Sequence, residues 1–258
     1  MMALDLQEYR FSSVRIVLEK PLKSIIAGAS RVVFVTGFKG FGMVGYISVV
    51  HMAEKLNCSR VGAVLTKYMP EAVTVEDYGV TYPFEIFACR EGDLALILLL
   101  CHDIPSGQER SVFAEAVIRW VKRLGVDEAV FFGGFDSRYK VGEENLRWVK
   151  TSACGRELEE PMMASGLYIV GPLALLTMYA ELYHVPALVL LPYAEASRPD
   201  PRAAAIAIEK FSELYGVSIG VEELYEKARI IEEEMIKLEE QKEKSTAAFT
   251  GAADKVYM

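Results

Sequence analysis

Three short stretches of this chain carry residue types that do chemistry, at spacings that invite it. Cys101-His102-Asp103 sets a thiol, an imidazole and a carboxylate side by side, the three types found in nucleophilic triads. Gly40-Phe41-Gly42-Met43-Val44-Gly45 is a GxGxxG that follows one apolar run and opens another, the local context of a dinucleotide fingerprint. Gly133-Gly134-Phe135-Asp136 is a second glycine turn behind an apolar run, with a carboxylate at its end.

Each stretch also has a plainer reading. Neighbouring residues of a strand point to opposite faces, so Cys101 and His102 do not easily share a site, and a triad needs convergence rather than adjacency. A dinucleotide site needs an acidic residue about 20 positions on to hold the ribose, and the chain offers Leu65, Thr66 and Lys67 there. Lys67 would suit a 2′-phosphate, but Phe38 and Phe41 put bulk where a pyrophosphate must approach. Gly37, Gly40, Gly42 and Gly45 therefore read first as a tight strand-to-helix turn with close packing, and nucleotide binding as the alternative. His51 and His184 fall in apolar helical patterns and read as core-edge residues. No HExxH or P-loop occurs, and neither a cofactor nor a catalytic residue is expected.

The elements that must position these stretches alternate strand with helix, which predicts an α/β layer fold around a mostly parallel sheet. Strands are expected over 14–19, 31–36, 61–66, 84–90, 94–101, 128–132 and 187–191. The apolar runs VVFV, LALILLLC and ALVLL fit central strands covered on both faces. Helices are expected over 43–56, 108–124, 173–183 and 201–215. Ser106-Gly107-Gln108-Glu109 has capping-box spacing at the start of the second of these. In open α/β sheets ligands bind at the carboxyl edge of the strands, so 37–45, 101–107 and 133–136 should line one crevice. Its polar groups would be Asp103, Ser106 and Asp136.

Composition bounds the partners. The 258 residues are 52% hydrophobic and 25% charged with mean hydropathy +0.20, which excludes disorder and a disulfide scaffold. A net charge of −8 repels phosphate backbones and anionic lipid, so neither nucleic acid nor membrane is an expected partner. The cysteines at 58, 89, 101 and 154 form no CxxC pair, so zinc is not expected and reduced thiols are. Asp5 and Glu8 are wrong for a signal peptide, and the apolar run over 167–180 is too short to span a bilayer, which predicts a cytoplasmic protein. Two Asn and three Gln in the whole chain hint at a thermophile.

After Gly220 the texture changes, and the chain divides into an α/β domain over 1–220, a helix over 221–244 and a flexible tail over 245–258. Val221, Leu224, Ala228, Ile231, Met235 and Leu238 follow heptad spacing, a seam suited to a helix shared between subunits of a homo-oligomer. Nine Glu oppose five Lys or Arg up to Lys244, so this helix carries −4 of the net −8. The small, polar stretch 245–255 reads as a tether. It ends in Val256-Tyr257-Met258, an apolar residue, an aromatic with a polar tip and a final carboxylate, the components of terminal-carboxylate capture.

GFKGFGMVG at Gly37, HDIPSGQERSVFAEAVIRWVKRLGV at His102, FFGGF at Phe131 and PYAEASRPDPRAAAIAIEKF at Pro192, with the Glu-rich helix after them, resemble the proteasome assembly chaperone 2 family in its archaeal branch. The likeness runs from about Val14 to Glu243. It implies an α/β domain similar in topology to nucleoside phosphorylases, assembled into homo-oligomers, that acts as a chaperone or binding partner of 20S proteasome α-subunits without catalysis. Some members end in a hydrophobic residue, a tyrosine and any final residue, which Val256, Tyr257 and Met258 match position by position. Phe38 and Lys39 depart from the Pro or small residues usual there, which argues against a small-molecule role for that loop. The competing expectations are a nucleotide- or nucleoside-dependent enzyme, ATP-grasp-like or phosphorylase-like, and an oligomeric scaffold with no proteasome contact.

Overall fold

The computed structural model describes residues 6–235 and residue 237. In chain order the elements are β1 (Gln7–Phe11), β2 (Val14–Leu18), α1 (Lys23–Ile26), β3 (Arg31–Gly37), α2 (Val44–Lys55), β4 (Ser59–Leu65), β5 (Val75–Glu76), β6 (Gly79–Val80) and β7 (Phe84–Glu91). They continue with β8 (Leu94–Cys101), α3 (Arg110–Leu124), β9 (Glu128–Phe132), β10 (Phe135–Asp136), β11 (Leu146–Lys150), α4 (Gly171–Leu182), β12 (Ala187–Ala194) and α5 (Pro201–Tyr215). Residues 222–235 form a further helix.

One ten-stranded sheet runs in the order β1-β2-β4-β7-β8-β3-β9-β12-β10, with β11 also on β12. The expected parallel pairing holds at its centre, where β3 lies between β8 and β9 and β12 joins β9. The β1 to β8 half pairs antiparallel, as does β11 on β12. The sheet is therefore mixed rather than mostly parallel, because β7 and β8 are joined by a tight turn at Gly92 (φ +57°) where a crossover helix would have been needed for parallel pairing.

The period of two sorts the strand residues into two cores. Phe34, Ile97, Leu99, Cys101, Phe131 and Leu191 face α3 and α4, whereas Val35, Leu98, Leu100, Phe132 and Leu190 face α2 and α5. The apolar face expected of α3 is buried, with Phe113, Val117, Trp120 and Val121 fully enclosed. Its capping box does not form. Glu109 instead turns its buried carboxylate to the 66–68 loop, accepting from the Lys67 and Tyr68 backbone N–H groups at 2.9 and 2.8 Å, and no side chain caps the helix. The pull is energetic: a buried carboxylate gains more from two orphan loop donors than from one cap.

At the amino edge of the sheet, Glu128 opens β9 as a buried carboxylate. Arg156 reaches it through Nε and Nη2 at 3.0 and 2.9 Å, Tyr215 donates its hydroxyl, and Cys154 approaches at 3.3 Å. Burial works against its ionisation, but the Arg156 and Tyr215 hydrogen bonds outweigh it and hold Glu128 below the usual glutamate range. The expectation of reduced thiols is corrected at one pair: Cys58, immediately before β4, and Cys89, on β7, are disulfide-bonded with a Cα–Cα distance of 4.5 Å. Their separation of 31 in sequence hid what the antiparallel register brings together.

The 222–235 helix packs on its own chain. Val221 and Leu224 are buried in the core shared with α2 and α5, Ala228 is buried as well, Lys55 pairs with Glu223, the Tyr225 hydroxyl donates to Glu209, and Arg202 holds Glu232. The first half of the predicted subunit seam is thus consumed internally. Ile231 is half-buried, Met235 is exposed, and Leu238 lies outside the described residues. No described helix is long and apolar enough to cross a membrane.

Candidate functional site

Strands β3, β8, β9 and β12 end at one edge of the sheet, and the loops that follow them enclose a cavity of about 560 Å³. Phe38 and Phe41 come from the first glycine turn, Ile104 from the loop after β8, Phe132 to Asp136 from the second glycine turn, and Ala196 from the loop after β12. The segment from Leu167 to Leu173 forms the far wall. The three stretches singled out from sequence do converge here, as the topology of an open α/β sheet requires.

They do not all contribute. Asp103 is exposed, its carboxylate accepting from the Ile104 N–H at 2.7 Å, and neither it nor Ser106 lines the cavity. Asp136 lines it, but its two oxygens are held by the Arg138 guanidinium at 2.6 to 3.0 Å, which also keeps the carboxyl below the usual aspartate range. Gly40, Gly133 and Gly134 are on the lining.

The first glycine turn is packed from within. A Cβ on Gly45 would come within 2.4 Å of the Phe132 carbonyl, and one on Gly37 within 2.5 Å of the Gly45 backbone, so these two glycines let α2 lie directly on β3 and β9. Gly42 has φ +61° and is covered by Ala194 and Asp200, and its carbonyl accepts from the Asp200 N–H at 2.8 Å. The Gly40, Met43 and Val44 N–H groups bond back to the carbonyls of Phe38, Gly40 and Phe41. A phosphate cradle needs such donors converging outward; here the loop's own carbonyls take them. The close-packing reading of this turn is the one the geometry carries.

Cys101 and His102 separate to opposite faces, as strand alternation requires. The Cys101 thiol is fully buried on the α3 side, where burial pushes its pKa far up. His102 turns toward α2: its Nε2 lies 2.9 Å from Glu85 Oε2 and its Nδ1 3.3 Å from the Tyr46 hydroxyl. Glu85 has no solvent exposure. It also accepts from Arg60 Nη1 at 3.0 Å, the Tyr78 hydroxyl at 3.1 Å and the Tyr82 N–H at 3.1 Å. Burial raises its pKa, but the bonds from His102, Arg60 and Tyr82 prevail and keep it below the usual range. Tyr46 is shifted up by burial and then by Glu76, Glu54 and Glu85.

Sequence reasoning missed this Glu85-centred network, although a lone Glu inside the apolar strand FEIFAC was its signal. His51 is a buried histidine as expected, with Nε2 2.6 Å from the Gly220 carbonyl, whereas His184 sits exposed just past α4. No metal-binding cluster of His, Cys, Asp and Glu occurs among the described residues. Val256, Tyr257 and Met258 lie outside the described residues.

The profile of the PAC2 family matches residues 34–239. An uncharacterized protein of Methanocaldococcus jannaschii is 26% identical over 223 residues, 83% of this chain and 86% of that one. Among solved structures, Pyrococcus furiosus PbaA, described as an archaeal homolog of proteasome-assembly chaperone, matches with a TM-score of 0.71 at 21% identity, over 96% of this chain and 100% of the other. Pyrococcus furiosus PbaB, described as an archaeal proteasome activator, matches at 0.71 and 19% identity over 88% and 99%.

Proposed function

The chain belongs to the PAC2 family, and on that footing we propose that it is a non-catalytic binding protein of the 20S proteasome, an assembly chaperone or adaptor whose partner is the α-subunit. The observation that carries this reading is the agreement of its whole fold with two proteins whose descriptions concern proteasome assembly and activation. The contact is the triplet Val256-Tyr257-Met258, presented by the tether 245–255. Tyr257 supplies apolar area at little entropic cost, and the terminal carboxylate takes a lysine or backbone donors on the partner.

One such anchor is weak. Several tails on a homo-oligomer raise the effective concentration of each next contact, so assembly of this chain into a ring is part of the same proposal. The interior chemistry supports a role without catalysis: the thiol at 101 is sequestered from the imidazole at 102, and the glycine turn bonds its Gly40, Met43 and Val44 N–H groups to its own carbonyls. Co-purification of proteasome α-subunits with the full chain, set against a chain ending at Lys255, tests it. Retention of α-subunits by the full chain and their loss from the shortened one is the expected outcome; equal retention moves the contact to the folded domain.

A further inference from the structure

The cavity at the carboxyl edge has a charge pattern that the proteasome reading leaves unused. Its walls are aromatic and aliphatic, with Phe38, Phe132, Phe135, Leu173 and Leu191 contributing, and its size is within the range of sites that enclose small ligands. Among the lining residues stand three cations, Lys39, Arg110 and Arg138, and one carboxylate, Asp136. Asp136 is committed to Arg138. Lys39 and Arg110 have no carboxylate partner among the described residues. Arg110 donates Nε to the Pro105 carbonyl at 2.9 Å, and the Lys39 ammonium lies 4.6 Å from the Tyr46 ring centroid. In a chain of net charge −8, two cations with no carboxylate partner among the described residues, on one apolar cavity, are a local inversion of sign.

We propose that this cavity binds a small carboxylate with an apolar body, the body against the phenylalanine walls and the carboxylate between Lys39 and Arg110. Phe38 and Lys39 thereby acquire a use: one is wall, the other is charge. A phosphate ester is the poorer fit, because the Gly40, Met43 and Val44 N–H groups of the glycine turn are bonded within the turn and do not converge on the cavity as a cradle. A guanidinium and an ammonium suit a carboxylate at the rim of an apolar chamber. The same chemistry has two sources: a free small acid, or a terminal carboxylate beside apolar side chains such as Val256-Tyr257-Met258 of this chain.

Calorimetry on the full chain with 4-phenylbutyrate and with its neutral amide tests the site. The acid should saturate at one per chain and bind at least tenfold more tightly than the amide. Arg110→Met should bring the acid down to the amide's level and leave the amide unchanged. Lys39→Met, which removes only a ring contact from the fold, should do the same if Arg110→Met fails to fold. A chain ending at Lys255 separates the sources: unchanged acid binding assigns the site to free acids, and binding that appears or tightens only on shortening assigns it to the chain's own terminus. Equal affinity for acid and amide, or no saturable binding in either chain length, overturns the proposal.

Discussion

Arg202, in the first turn of α5, holds Glu232 at 3.0 Å across the surface. Tyr225 meets Glu209 further down the same pair of helices, so the 222–235 helix runs antiparallel to α5. Because α5 begins at the carboxyl edge of the sheet, the C-terminal helix travels from the amino edge back toward the glycine turns. The described helix therefore ends on the side of the molecule that carries the cavity.

This packing divides the helix into a part that stabilises the fold and a part available to a partner. Leu224 is buried in the core shared with α2 and α5, so Leu224→Ala should cost about 2 to 4 kcal/mol in guanidinium unfolding. The Arg202–Glu232 pair is exposed on both sides, and Arg202→Ala should change stability by no more than about 1 kcal/mol.

In the proposed oligomer, the described seam residues left for a subunit contact are Ile231 and Met235. Replacing both with Asp should lower the mass in light scattering toward one chain while the melting temperature is kept. An unchanged mass with an intact fold places the subunit contact elsewhere.

The Glu85 network is a structural unit at the end of β8, not a relay. Glu85→Leu leaves Arg60 and His102 without their acceptor and should destabilise by about 3 kcal/mol, whereas Glu85→Gln, which keeps an acceptor, should cost less than half of that. A loss below about 1 kcal/mol for the leucine variant contradicts this role.

Acid stability follows from the same residue and from Glu128. Both have folded-state pKa values below the ordinary glutamate value of 4.5, since hydrogen bonds to the carboxylates overcome their burial. Stabilisation from a depressed carboxyl is complete above its unfolded value and is lost as pH falls through the folded one. Unfolding free energy should hold level down to about pH 5 and drop steeply below 4.5, and the Glu85→Gln variant should show a shallower drop.

Thiol counting checks the disulfide. In denaturant without reductant, two thiols should react with Ellman's reagent, Cys101 and Cys154, and four after reduction. In the native state both should be slow, because each is buried and the Cys154 thiol is pushed up to about 11 by that burial. Four thiols without reductant contradict the bridge.

Much of the fold was legible because its signals are local. Apolar runs bounded by glycine and aspartate marked β3, β8, β9 and β12, and the one-face spacing of Phe113, Val117 and Trp120 marked α3. What escaped depends on pairing at a distance. β1 is a polar ribbon, QEYRF, that exists only because β2 offers it an edge. β11 is held by β12, with Leu146 and Trp148 alternating inward over too short a span to stand out. The crevice could be placed from topology, since strand ends and glycine turns fix its position, but its charge could not. Arg110 and Arg138 enter it from the start of α3 and the loop after β10, and only the assembled edge shows them facing one chamber. Ser106-Gly107-Gln108-Glu109 misled for the converse reason, its glutamate serving loop donors 41 and 42 residues away.

The central claim rests on the tail, and surface-immobilised proteasome α-subunits measure it most directly. The full chain should bind with slow, multivalent dissociation. Tyr257→Ala, and a chain extended by one residue after Met258, should each lose at least a hundredfold in apparent affinity with mass and melting temperature unchanged. Undiminished binding by both variants would contradict the account, whatever the oligomer.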